Sequence, residues 1–410
     1  MSSKPTLSTP RLFRLWAVLC VLAAAVAGVV GFIATSSLVS STERIRDNSG
    51  PVLVATQDVI ASVAEADAAS TAVFLSGQDQ DRSQRLLYEE ALARSISQVE
   101  EVARLIGDDD TAHLSLKDVA ANLVRYAGQV EAARGANLNA EAGADDLLRA
   151  ALATVRDDIF PQIDVVAARA DTQLADDGRG LVPTVLAVVA AAMAGVVMLA
   201  ANGVVRRRTN RLLNPGLVVA GLMLLVFALW VAVASASRSA ELDNAETGGF
   251  DTIAATARIQ QAGFSYKTAE AVSIVDGRSD PGLDAQAAEV QALLAEAGAL
   301  ADSDREDAAV AELVVRWDRY LEVSDRVEQL LASGDASGAR VVASGEGNSA
   351  FNGFNTAVES VLLDNRTQFA EGVQAATAAL GYLRVASVVL AAAAALAAWF
   401  GFQARIGEYS

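Results

Sequence analysis

The sequence predicts an all-α membrane protein with four transmembrane helices and two extracytoplasmic four-helix bundles from an internal duplication. Three observations predict this. Four stretches, 12–35, 181–205, 216–236 and 382–403, are apolar over the roughly 20 residues that a helix needs to cross a hydrocarbon core. The two long segments between them, 36–180 and 237–381, are rich in Ala, Leu, Glu, Gln and Arg and lack strand-like alternation. The order span, long polar segment, span recurs with an offset of about 200 residues, which marks an internal repeat.

Taken in order, residues 1–11 form a short N-terminus carrying Lys4 and Arg11, and Arg14 follows just inside the first span. That span could be read as a signal peptide, but its length and the lack of a clean small-residue cleavage site favour an uncleaved anchor. No span contains an acidic residue, and Arg384 sits at the edge of the fourth, where it could snorkel to the interface. Trp16, Trp230 and Trp399 lie within or near the spans, and Tyr382 suits an interfacial belt position. The loop 206–215 holds Arg206, Arg207, Arg208 and Arg211 with no Asp or Glu, and the tail 404–410 adds Arg405. Positive flanks stay inside, so both termini and this loop are expected in the cytoplasm of a plasma-membrane protein. Each long segment holds about 25 acidic and 10 to 13 basic residues, which accounts for the net charge of −18 and gives no reason to expect nucleic-acid binding.

Turn signals cut each outer segment into about four helices. In the first they fall at Ser76-Gly77-Gln78-Asp79, Gly107 to Asp110, and Gly135 to Gly143. In the second they fall at Asp276-Gly277 to Pro281-Gly282, Asp302-Ser303-Asp304, and Ser333-Gly334-Asp335. Asp and Ser at such joints are good N-caps, and glycine after a helix takes the left-handed conformation that ends it. Leu53, Ile60 and Phe74 correspond to Ile253, Gln260 and Ile274 on one heptad stripe, with glycines at Gly77 and Gly277 beyond it.

Chemistry is sparse. The single cysteine, Cys20, lies in an apolar run, and the single histidine, His113, has no second histidine to work with, so His/Cys metal clusters are excluded by counting. No nucleophile elbow, phosphate-cradling loop or zinc-protease motif occurs. No enzyme, cofactor or metal is expected. Pairs such as Glu89-Glu90 and Asp157-Asp158 read as solvated faces.

The stretches Asn48-Ser49-Gly50-Pro51, Asp67-Ala68-Ala69 and Phe74-Leu75-Ser76-Gly77 resemble the first bundle helix of bacterial chemoreceptor and kinase sensor domains. Gly334-Asp335-Ala336-Ser337-Gly338-Ala339 resembles the turn before the last helix of that fold. Those receptors follow the second span with signalling domains, whereas here about ten residues lead to a third span, as in a covalently fused version of the receptor dimer. The four-span, duplicated, Ala-rich layout is similar to the GlnX-type actinobacterial membrane proteins. That resemblance implies a relay without its own output domain, between a glutamine-type amino-acid-binding lipoprotein outside and a soluble Ser/Thr kinase inside. A structural envelope scaffold and an accessory subunit of an amino-acid transporter are the alternatives.

Three groups of residues are candidates for function. Asp67 and Lys267, opposite in charge on equivalent helices, could pair across a pseudo-two-fold axis, or each could reach solvent at a bundle edge. Arg316, Trp317, Arg319 and Tyr320 could form a patch for an acidic ligand or a partner protein, or an aromatic core stripe flanked by solvated arginines, with Arg125 and Tyr126 as a weaker counterpart. The loop arginines Arg206, Arg207, Arg208 and Arg211 are ordinary positive-inside chemistry that a cytoplasmic partner could also touch.

Overall fold

A computed structural model describes residues 9–75, 77–107, 109–209, 214–245, 251–301 and 303–406. Nearly all of them are helical, and no strand occurs among them. The helices are α1 (Thr9–Arg44), α2 (Gly50–Leu75), α3 (Gly77–Leu105), α4 (Asp110–Leu138), α5 (Ala144–Ala153), α6 (Phe160–Gly178) and α7 (Leu181–Thr209). They continue as α8 (Pro215–Ala245), α9 (Asp251–Asp276), α10 (Leu283–Leu300), α11 (Asp304–Ala332), α12 (Ala336–Val342), α13 (Asn348–Ala379) and α14 (Leu383–Ile406). Four helical stretches are long and apolar enough to cross a membrane: Arg11–Leu75, Ala144–Arg207, Pro215–Ala245 and Ala336–Ala404. Two compact units result, one built from 1–45, 175–243 and 372–410, the other from 46–174 and 244–371.

The first unit contains the apolar parts of α1, α7, α8 and α14. Small side chains run through its interior, where Ala17, Cys20, Ala24 and Ala27 of α1 pack with Ala194, Ala201, Ala220, Ala394 and Ala398, and Phe13, Met198, Leu217 and Phe402 fill the remaining space. Small residues let helices approach closely where lipid offers no hydrophobic drive for association. One close approach joins α8 to α14, where a Cβ on Gly216 would lie 2.5 Å from the Gly401 Cα. Asn214 seals this crossing by donating to the Gly401 carbonyl at 3.0 Å and accepting from the Gly216 amide. The large side chains Leu15, Leu22, Val26, Val29 and Ile33 face outward, as the lipid-facing side of a span requires.

In the second unit α2 packs against α3, α4 and α9, α9 also against α10, and α11 against α10 and α12. Having neighbours on three sides explains why α2 is Ala-, Val- and Ser-rich and buried almost all round. Several expected joints form as their residues dictate. Asp109 caps α4 through the amides of Thr111 and Ala112, Ser303 caps α11 through Glu306, and Asp335 caps α12 through Gly338. Gly277 and Gly334 are left-handed at φ +67° and +82°, and each ends its helix with the paired backbone bonds of a Schellman turn. One expected break is shorter than its sequence signal: Gly135 lies inside α4, and only 139–143 turns. Gly77 opens α3, while Ser76, Asp108 and Asp302 lie outside the described residues.

Three joints that the sequence did not suggest are π-helical turns at Ile45–Ser49, Thr154–Ile159 and Ala343–Gly347. The first two each end two residues before a proline, Pro51 and Pro161. Proline cannot donate to the carbonyl four residues back, and its ring crowds that carbonyl, so a widened turn absorbs the mismatch.

Candidate functional site

In the second unit, α2 and α9 carry ionisable side chains into the buried packing, beside apolar residues and small hydroxyls such as Ser70, Thr71 and Thr268. Tyr126 of α4 and Tyr320 of α11 are both 0 % exposed, and each turns its hydroxyl toward an acid on the neighbouring first helix. Tyr320 donates to Glu270 at 2.9 Å, while the second Glu270 oxygen is buried without a partner. Tyr126 lies beside Asp67, but neither its hydroxyl nor Asp67 Oδ1 has a hydrogen bond of normal geometry. Tyr88 packs edge-on against Tyr126, with ring centroids 6.3 Å apart. Burial pushes the Asp67 carboxyl up to about 8, opposed by Tyr126 and by the charge of Arg156. Burial likewise drives both tyrosine hydroxyls well above their ordinary range, and the adjacent acids add to the effect.

Lys267 of α9 has no acid within ion-pair distance among the described residues. Its ammonium donates to Asn348 Oδ1 at 2.6 Å and sits 4.6 Å from the centre of the Phe351 ring. Burial pulls it down to about 8, opposed by the charge of Glu270. The expected Asp67–Lys267 pair is therefore corrected: Asp67 faces Tyr126, and Lys267 faces Asn348, Phe351 and Glu270. A shared stripe position fixed which face each residue occupies, and the third and fourth helices decided what it meets there.

Of the two readings of Arg316, Trp317, Arg319 and Tyr320, the packing supports the aromatic core stripe flanked by solvated arginines. Trp317 and Tyr320 are both 0 % exposed within a cluster containing Tyr266, Phe351 and Phe354, with neighbouring ring centroids 5.1 to 5.8 Å apart. They present no surface to a partner, and their worth is core packing. Arg316 and Arg319 stay on the outside, Arg316 bonded to Glu312 at 2.6 Å. His113 reaches the Gly107 carbonyl at 2.6 Å, closing the turn before α4. Arg206 and Arg207 are exposed at the end of α7; the Arg208 side chain and Arg211 lie outside the described residues.

Where α2 and α3 meet α9 and α13, a cavity of about 290 Å³ opens. Lys267, Asn348 and Asn355 line it, together with Glu65 and Glu359. Ion pairs bridge the same two halves of the unit elsewhere, from Arg366 to Asp58 and from Arg149 to Asp276.

The first unit holds a group that sequence reasoning missed. Arg238, near the end of α8, is 0 % exposed. Its Nε donates to Thr42 Oγ1 at 2.7 Å, Nη2 to Ser41 Oγ at 3.1 Å and to the Asp177 carbonyl at 2.9 Å, and Nη1 to the Gly178 carbonyl at 3.0 Å. One guanidinium thus ties the end of α1 to the last turn of α6 and caps a helix C-terminus with positive charge. Gly180 makes room for it, since a Cβ there would lie 2.7 Å from Nη1. Arg44 adds an ion pair to Asp177 at 2.8 Å. The available signal was a lone arginine immediately beyond an apolar span, a pattern that also describes an ordinary flanking charge.

Comparison with known families adds one finding. The family model described as the actinobacterial sensor domain matches residues 41–179, about a third of the chain. No curated protein and no solved structure matches. The match contains Asp67, Tyr88 and Tyr126, and it begins at Ser41 and closes just past Gly178, the two ends that Arg238 holds together. Residues 41–179 are thus similar to the actinobacterial sensor domain, in a chain with four helices long and apolar enough to cross a membrane.

Proposed function

We propose that this chain is a transmembrane relay that couples an extracytoplasmic amino-acid-binding protein to a cytoplasmic Ser/Thr kinase, without chemistry of its own. The observation that carries the reading is the sensor-domain match, whose two ends Arg238 fastens to α8. A shift of α6 relative to α1 has to break or carry those four bonds, so α8 responds to the state of the sensor domain. Packed helices have discrete alternative arrangements, and small sliding or rotation between them is a well-attested route for signals. The basic flanks put residues 1–11, 206–215 and 404–410 on the inner side, where Arg206 and Arg207 are available to a kinase.

Residues 244–371 read as a second copy of the sensor domain. Supporting this, α2 and α9 both contain 26 residues, and α4 and α11 both contain 29. Leu53, Ile60 and Phe74 are buried, as are Ile253, Gln260 and Ile274. Tyr126 and Tyr320 occupy the same place relative to the starts of α4 and α11 and face an acid alike. A sensor-domain match favours this reading over a structural spacer or a transporter subunit.

The test is affinity purification of the tagged full-length chain from crosslinked membranes. Recovery of a solute-binding lipoprotein together with a Ser/Thr kinase is expected. Recovery of envelope-building proteins alone refutes the relay.

A further inference from the structure

We infer that Asp67 is a proton-binding switch: its ionisation draws the hydroxyls of Tyr88 and Tyr126 onto the carboxylate and tightens α3 and α4 against α2, so that this half of the sensor unit responds to pH. The inference rests on the sensor reading and deepens it by naming a signal that the chain itself takes.

Buried polar atoms from α2, α3 and α4 gather here without bonds. Asp67 Oδ1, Tyr88 Oη and Tyr126 Oη each have no hydrogen-bond partner among the described residues. Tyr126 lies beside the carboxyl, Tyr88 is within reach of its charge, and the two rings meet edge-on with centroids 6.3 Å apart. A carboxylate buried without donors costs far more than a carboxylic acid, so this packing accommodates the neutral form. The small hydroxyls nearby are already committed: Ser70 and Thr71 both donate to the Asp67 backbone carbonyl, at 2.8 and 3.0 Å. The two tyrosine hydroxyls are the donors left for a carboxylate. Both keep their protons, because burial drives them above their ordinary range. At the corresponding place in the second half the bond is made, with Tyr320 donating to Glu270 at 2.9 Å.

The charges around the site are few. Arg156, in the π-helical turn Thr154–Ile159, is the cation that acts on Asp67. Glu131 of α4 and Glu89 of α3 act on Tyr88. On the α9 side, Lys267 is turned to Asn348 and Phe351. Bonds from a hydroxyl to a carboxylate close to about 2.5–2.7 Å and are roughly twice as strong as neutral ones, so ionisation pulls both tyrosines, and the helices that carry them, inward. Asp67 is itself half-buried, which leaves an edge where its proton passes to solvent. Burial sets its midpoint at about 8, so the ionised share rises from about a tenth at pH 7 to about nine tenths at pH 9. That is about a hundredfold change in the ratio of two packed states, enough to reverse which one dominates.

Infrared titration of the purified full-length chain in an ester-free detergent, from about pH 6 to about pH 9, tests this. Near-ultraviolet circular dichroism of the tyrosines is recorded alongside. Subtracting the spectra of Asp67→Asn from those of the parent should leave one protonated-carboxyl band that disappears with a midpoint near 8, and a tyrosine change with the same midpoint. Tyr88→Phe and Tyr126→Phe each remove one donor to the charged form and should raise the infrared midpoint by about one pH unit, the effect of losing one charge-assisted bond. A tyrosine that only packs would leave the midpoint in place. Far-ultraviolet circular dichroism checks that the variants keep their helix content. A carboxyl titration that is the same in Asp67→Asn and the parent overturns the site. Unchanged midpoints in both tyrosine variants, or a subtracted spectrum without a tyrosine change, overturn the switch. If copurification of the lipoprotein and kinase persists while Asp67 does not titrate, the switch alone has failed; titration without copurification fails the relay alone.

Discussion

Arg238→Met should loosen the first unit by an amount that the contacts set. The substitution keeps an apolar side chain of moderate length and removes four hydrogen bonds from a fully buried guanidinium. Ser41 and Thr42 lose little, since both hydroxyls also donate to the Leu38 carbonyl, at 2.9 and 3.0 Å. The Asp177 and Gly178 carbonyls do lose their partner. A buried polar group left unpaired costs about 1–3 kcal/mol, and losing a cation at a helix C-terminus about 0.3–1 kcal/mol. Partial relief comes from no longer desolvating an arginine. The net expectation is a loss of about 3 kcal/mol, which lowers a melting temperature by roughly 5–10 °C in a domain of this size. Arg238→Lys retains the charge but not the fork that reaches four acceptors, and should recover about half of the loss. Thermal melting in nanodiscs followed by circular dichroism is the assay, with amide exchange at 178–180 as a local reporter. Arg238→Met melting within about 1 °C of the parent, with unchanged exchange at that turn, refutes the role assigned to Arg238.

Asp67→Asn should remove a pH dependence. Burial raises this carboxyl from its ordinary value near 4 to about 8 in the folded chain, so its contribution is most favourable below pH 4, declines as pH rises, and levels off above 8. At pH 7 the charge-burial cost is at most about 4 kcal/mol, and denaturation of the variant from pH 5 to 8 should be flatter than that of the parent. Tyr320→Phe strands the second oxygen of Glu270 and should cost about 1–3 kcal/mol in urea titrations; Tyr126→Phe, which breaks no well-formed bond, should cost less, and equal losses would contradict the geometry. Gly216→Val sets a Cβ against backbone atoms of α14 that cannot give way, so thermal melting should show a loss of about 1–3 kcal/mol; a neutral outcome would mean the crossing is not tight.

Much of the fold was legible because its determinants are local. Span length, the caps Asp109, Ser303 and Asp335, and the left-handed Gly277 and Gly334 depend on a few consecutive residues. The candidate site was less legible because its determinants are not. The i, i+3 spacing placed Trp317 and Tyr320 on one face, but only the packing of α9 and α13 over that face tells a core from a patch. Glu270 lies one helical turn after Lys267, and its acid on an apolar stripe could have flagged it. The cavity needs four helices from two distant parts of the chain, which no single stretch encodes. Arg238 carries no local mark of burial, since its partners lie about 60 and 200 positions away.

The π-helical turn at Ile45–Ser49 changes the phase of a 65-residue helical stretch. Along α1 the buried positions Phe13, Ala17, Cys20, Ala24 and Ala27 keep a strict three-four alternation that continues through Ala34, Leu38 and Ser41 to Ile45. That rhythm would next bury Asn48, yet Asn48 is half-buried and Ser49 is buried, followed by Leu53, Thr56 and Ile60. The inward meridian has slipped by one residue, which is the excess that a π turn stores. The stretch that is long and apolar enough to cross a membrane and the stretch that follows it can therefore each choose their own inward side. The same turn acts as a vernier for evolution: a single-codon insertion or deletion there is taken up by winding or unwinding the bulge. The same event in the middle of α1 or α2 would swing every later side chain through about 100°.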